Sequence, residues 1–311
     1  MDYLVDYIMG LPAQAVFTGP ITSFLAKHGI VTSSNILANL HSVIYVAEAY
    51  HLVFLVSQWI LFPPLVRWRL SHDADKSPRR YNDLLNQSAV HFVSLVQSFV
   101  ILYLSLGYIR DHGTSTHPTP ESRIFSESAE TNVICVFAIG YFVWDALISL
   151  VYSSLPFVVH GVVSALMFTI GLKPYIQYYA PAFLLFELSN PFLNFRWFGI
   201  KFMPQLSAEN QSTSAAVCNV IQLLNNVMLI CIFFGARIAW GWLKIYELAF
   251  DFYKVRNDPR FLFTESLVIV SGNFILDVLN VVWFSQMASV AKRIILKRGR
   301  VQDKPATEAH C

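Results

Sequence analysis

Charge is scarce in this sequence. Only 14% of its 311 residues are Asp, Glu, Lys or Arg, against about 25% in ordinary soluble domains. No polar stretch is long enough to fold as a soluble domain of its own. Any chemistry must therefore sit inside a membrane or at its surface. Basic residues do not interleave with aromatics as a nucleic-acid site requires, and a formal net charge of +2 adds no case for one. Cysteine is equally sparse. Cys135, Cys218 and Cys231 lie in apolar segments and Cys311 is the last residue. No pair has metal-ligand spacing, so neither a disulfide framework nor a metal site is expected. Repeats and low-complexity tracts are missing too. A secretory leader is not expected, because Asp2 and Asp6 stand where positive charge belongs.

What the sequence has is apolar length. Hydrophobic residues make up 55% of the chain, and the mean hydropathy is +0.49. A spanning helix needs about 20 mostly apolar residues. Seven segments qualify, near 43–66, 86–108, 132–152, 155–172, 175–195, 216–240 and 263–288. The expected fold is an all-α polytopic transmembrane helix bundle of six to seven spans. Residues 1–39 read as an N-terminal lumenal segment holding a short interfacial helix broken by Gly10 and Pro12. Residues 40–295 read as the membrane domain, and 296–311 as a basic cytosolic tail. Arg67, Arg69, Lys76, Arg79 and Arg80 in the first loop fall on the same side as the basic tail, which orients that side to the cytosol. With that orientation, Asn86 and Asn210, in Asn-Gln-Ser triplets, should carry no glycan.

Polar residues inside these spans are the candidate functional groups, since an ionisable residue at a helix centre costs about 2.5–3.5 kcal/mol on insertion scales. Asp145 lies deep in the third span, His160 early in the fourth, Glu187 in the fifth and Asp277 in the seventh. At 100° per residue, Glu187, Asn190 and Asn194 fall within about 60° of one another. Asn273, Asp277 and Asn280 share a face, as do Asn219, Gln222 and Asn226, to which Arg237 returns. Such stripes turn inward, either as glue between helices or as the lining of a cavity. Pro191 has no N–H, so the carbonyl of Glu187 is expected to lose its helical partner. Arg196 points opposite Glu187 on a straight helix, so the two should not pair.

The run FELSNPFLNFRWF at 186–198, with HGVVSALMFTIG before it and LDVLNVVWF after it, resembles the TLC-domain family of eukaryotic membrane proteins. The likeness covers about residues 40–295. It is strongest to a subgroup in which an E-L-S-x-P-F-x-N-x-R-W-F run is typical. The family includes ceramide synthases and translocon-associated membrane proteins. The resemblance implies a helical bundle in the endoplasmic reticulum or Golgi, with a role in lipid synthesis, sensing or homeostasis. In ceramide synthases a histidine pair and an H-D-x-S-D-type segment carry acyl transfer from coenzyme A to a sphingoid amine. Laid on this chain, the pair becomes His160 and Gly161, and the segment becomes Phe186, Glu187, Leu188, Ser189 and Asn190.

The expected function is lipid binding in an inward polar cavity, with Asn190, Asn194, Asp277 and Asn280 as lipid contacts and no cofactor. The expected partners are a membrane lipid and, in an oligomer, further copies of the chain. An acyl-CoA-dependent N-acyltransferase using His160, Glu187 and Asp145, with acyl-CoA as co-substrate, is the first alternative. A transporter, whose pathway the stripes would line, is the second.

Overall fold

The structure is a computed structural model. It describes residues 1–29, 31–71, 73, 75–113, 116–205 and 211–302, with side chains left undescribed at 15–17 and 294–302. Every regular element among the described residues is helical.

Two short helices lead the chain, α1 (Asp2–Met9) and α2 (Ala15–Lys27). Gly10 and Pro12 fall in the break between them, so the segment expected to hold one helix holds two. Val5 and Ile8 of α1 are buried in the main core, while Tyr3 and Tyr7 are exposed.

The first span is α3 (Ser34–Val56) continued by α4 (Phe62–Ser71). They are joined by a π-helical turn at Ser57–Leu61, in which the Phe62 N–H reaches back to the Ser57 carbonyl. Pro63 and Pro64 follow directly. Their two missing N–H groups remove successive helical bonds, and the wider turn absorbs the change. Next come α5 (Pro78–His112), α6 (Pro120–Phe125) and α7 (Ala129–Tyr152). Ser77 caps α5 and Pro78 occupies its first turn, where an N–H has no helical partner anyway. Ser128 and Thr131 form a reciprocal capping box on α7.

A tight turn leads from α7 into α8 (Leu155–Gly171). The fifth span is broken. It comprises α9 (Tyr179–Leu184), a 3₁₀ turn at Leu185–Ser189, and α10 (Asn190–Phe202). The sixth, α11 (Thr213–Phe233), passes through a π-helical turn at Phe234–Ala239 into α12 (Trp240–Val255). The last is α13 (Phe263–Gln302).

Five of these stretches are long and apolar enough to cross a membrane: Ser34–Ser71, Pro78–His112, Ala129–Tyr152, Thr213–Val255 and Phe263–Arg293. The shorter apolar α8 and the composite α9–α10 complete the bundle. Hydrogen bonds tie the helix ends into two groups. At one end Asn35 donates to Asn132 (3.2 Å) and to the Leu172 carbonyl. Arg123 pairs there with Asp251, Nε to Oδ2 at 2.6 Å, and Tyr179 donates to the same carboxylate. Arg123 lies outside the spans, and hydrogen bonding to Asp251 raises its pKa above its ordinary range. At the other end Arg69 donates to the Lys201 carbonyl (2.7 Å) and Gln87 to that of Tyr152 (2.7 Å).

Small residues let the central helices approach closely, as membrane bundles require. A Cβ on Gly140 would stand 2.6 Å from the Val46 side chain, and one on Gly161 would stand 2.9 Å from the Ala146 backbone nitrogen. These contacts lock α3 to α7 and α7 to α8, around the most deeply buried helix of the bundle.

Candidate functional site: a buried charge pair beneath a small cavity

The 3₁₀ turn at Leu185–Ser189 and the π turn at Phe234–Ala239 face one another in the bundle interior. Each is a local departure from α-helical register, and π turns inserted in α-helices often occur at functional sites. The first carries Glu187 and the second Arg237. Glu187 is 3% exposed and Arg237 4%. One guanidinium nitrogen of Arg237 lies 3.8 Å from Glu187 Oε1, so the pair is held by neighbouring groups as much as by direct contact.

Those neighbours accept from all three guanidinium nitrogens. Arg237 Nε donates to the Phe186 carbonyl (3.0 Å) and to Ser189 Oγ (2.8 Å). One terminal nitrogen donates to Asn190 Oδ1 (2.8 Å) and the other to Asn280 Oδ1 (3.3 Å). Asn190 in turn donates through Nδ2 to Glu187 Oε2, so this amide bridges carboxylate and guanidinium. The Phe233 ring lies 5.1 Å from the guanidinium carbon. Burying two opposite charges is tolerable only when their remaining hydrogen-bonding groups find partners, and here four residues supply them to the arginine.

The backbone corrects one expectation. The Glu187 carbonyl is not open, because the 3₁₀ turn brings the Asn190 N–H onto it. In that geometry donors reach back three residues instead of four, and Pro191 costs Glu187 nothing. The carbonyl that serves a partner is that of Phe186, which takes Arg237 Nε.

Beside the charge pair is a cavity of about 50 Å³. Glu187, Arg237, Asn273 and Asn280 line one side of it, and Phe142, Met167, Phe168, Phe183 and Leu276 line much of the rest. His160 lines the same cavity. Its ring meets Phe142 edge-on (5.6 Å) and lies tilted against Trp283 (5.8 Å), while Trp283 also stacks on Phe157 (5.4 Å). An aromatic seam thus closes the bundle between α8 and α13.

The remaining sequence candidates divide. Asn194 turns toward α5, where it accepts from His91 Nδ1 (2.8 Å) and donates to Ser94 (3.2 Å) and to the Asn190 carbonyl (3.0 Å). It joins the Glu187 side only through Asn190. His91 itself stacks on Trp197 at 4.3 Å. Asp145 is half-buried on α7 and is not among the residues lining the cavity. Asp277 is 2% exposed, and its Oδ2 has no hydrogen-bond partner among the described residues. Its carboxylate lies over Gly241, outside the cavity lining, and a Cβ there would stand 3.2 Å from Oδ1. Arg196 lies away from Glu187, as its helical angle requires. Asn86 accepts a hydrogen bond from Gln58 (2.6 Å), and Asn210 falls outside the described residues.

Arg237 is the member that sequence reasoning did not assign. Arg237 is the only Lys or Arg inside the seven expected spans, which marks it out without naming its partner. A buried carboxylate and a buried guanidinium in so apolar a chain need each other. Among the described residues, no group of three or more His, Cys, Asp or Glu could hold a metal ion.

The fold and this interior define a class: a polytopic helical membrane protein with a charge-balanced polar centre. The comparisons with known proteins are consistent with that class. The TLC domain model matches residues 87–289. An uncharacterised TLC domain-containing protein of Saccharomyces cerevisiae is 51% identical, over 96% of this chain and 98% of its own length. Another, of Schizosaccharomyces pombe, is 31% identical over 82% of this chain and 79% of its own. Human TLC domain-containing protein 4 is 28% identical over 65% of this chain and 71% of its own. The chain belongs to the TLC-domain family.

Proposed function

We propose that this TLC-domain protein binds a membrane lipid at the Glu187–Arg237 centre and acts in lipid homeostasis within an endomembrane, the endoplasmic reticulum or Golgi. One observation carries the reading: a neutralised ion pair, with the Asn190 and Asn280 amides attached, faces a chamber whose other walls are mainly apolar. That is the division a lipid needs, with polar groups for a head-group fragment and apolar walls where its chain departs. A cavity of about 50 Å³ holds one or two water-sized groups, so a head-group fragment fits it and an acyl chain does not. The chain would leave between α8 and α13, displacing the His160–Trp283 and Phe157–Trp283 contacts.

A second reading, acyl transfer from acyl-CoA to an amine, is favoured by one fact: His160 and Glu187 line the same cavity. In it His160 would take a proton from the neutral amine as its nitrogen attacks the thioester carbonyl, Arg237 would stabilise the oxyanion, and the C–S bond would then break to release coenzyme A, its sulfur taking that proton from His160. Two features weigh against it. Both Glu187 oxygens are engaged, one by Asn190 and one by the nearby Arg237. A second histidine at 161 would meet the Ala146 backbone.

The deciding experiment gives purified protein labelled acyl-CoA and a panel of amine and alcohol acceptors, alongside analysis of co-purified lipid. Retained lipid without turnover supports binding. Turnover abolished in both His160→Ala and Glu187→Gln establishes acyl transfer instead.

A further inference from the structure

A groove of about 390 Å³ lies on the outer face, between α10, α11 and α13 and apart from the central cavity. Its walls are largely apolar, with Leu223, Val227, Met287 and Val290 among them, and Arg196 and Gln286 stand in it. The cation in this groove lacks a protein partner. Arg196 makes no ion pair or hydrogen bond among the described residues.

Position suggests what fills it. Arg196 is six residues before the end of α10, about 9 Å along the helix axis. A long cationic side chain covers that distance by reaching toward the head-group layer. Lys292 and Arg293, both exposed, follow Val290 on α13 at the same end of the bundle. A second copy docked through the same face would bring no counter-charge. Neither α10 nor α11 contains an acid, and past Glu265 the only acid on α13 is the buried Asp277. The missing partner is therefore an anion that carries an apolar chain.

We propose that this groove binds an anionic glycerophospholipid. Its phosphate accepts from Arg196, and an acyl chain lies along Val227 and Val290.

Native mass spectrometry of the purified full-length chain tests this, with phosphatidylserine and phosphatidylcholine supplied at equal concentration in neutral detergent. Phosphatidylserine should be retained about fivefold better, the effect of one basic residue meeting an anionic lipid. Arg196→Gln should erase that preference. Val227→Trp, which fills the groove from an exposed position, should reduce retention of both lipids. Thermal melting of each variant reports whether it folds. Ser164 lines the central cavity, and Ser164→Leu, which enlarges that side chain, should leave the preference unchanged. Equal retention of the two lipids by the unaltered chain would overturn the proposal, as would a preference that survives Arg196→Gln. A detergent-stable dimer broken by Val227→Trp would also overturn it, assigning the face to a second copy.

Discussion

Arg237 and Glu187 stand 3.8 Å apart in the bundle interior, and Asn190 hydrogen-bonds to both. Each charge arrives on a helical turn that departs from α geometry, a 3₁₀ turn for the acid and a π turn for the base. The pairing orders the broken fifth span against the sixth.

Removing one partner leaves the other buried and unpaired, which costs about 3–5 kcal/mol. Glu187→Leu and Arg237→Leu should each unfold at markedly lower temperature in detergent. The double variant should recover much of the loss, because apolar replacement of both charges leaves neither stranded. A double-mutant cycle on thermal unfolding checks this, and simple additivity would count against a coupled pair.

Gly161 is the position aligned with the second histidine of the acyltransferase pair. Gly161→His should not install activity. It should destabilise the α7–α8 contact, because even a Cβ there meets Ala146 at 2.9 Å. Overpacking of this kind costs about 1–3 kcal/mol for a methyl-sized addition, so Gly161→Ala should lower the melting temperature. Gly235→Ala, where a Cβ meets nothing within 4 Å, should leave it nearly unchanged. A comparison of the two melting curves decides.

Asp251 is 1% exposed, and Arg123 supplies two of its hydrogen bonds at 2.6 Å each. Arg123→Ala should loosen α6 from α12. The loss should be at least about 1.5–3 kcal/mol, the range for a single hydrogen bond to a charged group, since two are removed. Proteolysis of the 110–131 segment should accelerate with it. Unchanged cleavage would mean that α6 is held by other contacts.

The spans and the family run were legible because apolar length and the ELSNPFLNFRWF pattern are local properties. The inward direction of Glu187 and Asn190 was legible as well. Residues i and i+3 share a face in a 3₁₀ turn, and they stay close in an α-helix, so the local irregularity does not separate them. Two things were not legible. The partner of Glu187 depends on the π turn that aims Arg237, and nothing in a helical wheel announces such a turn. The fate of the Glu187 carbonyl depends on whether the chain bonds back three residues or four, which Pro191 alone does not decide. Asp145 and His160 lie on adjacent helices of one hairpin, yet only His160 lines the cavity. Which face a half-buried side chain takes is set by neighbours on other helices.

The central claim is that a lipid occupies the chamber beside Glu187 and Arg237. It is tested most directly by photo-crosslinking a lipid with a photoreactive group on its head-group side, then mapping the adducts by mass spectrometry. The account predicts adducts on cavity residues such as Ser164, Met167 and Leu276, lost in Ser164→Leu, which fills the chamber. Adducts confined to outward-facing residues, unchanged in Ser164→Leu, would contradict it.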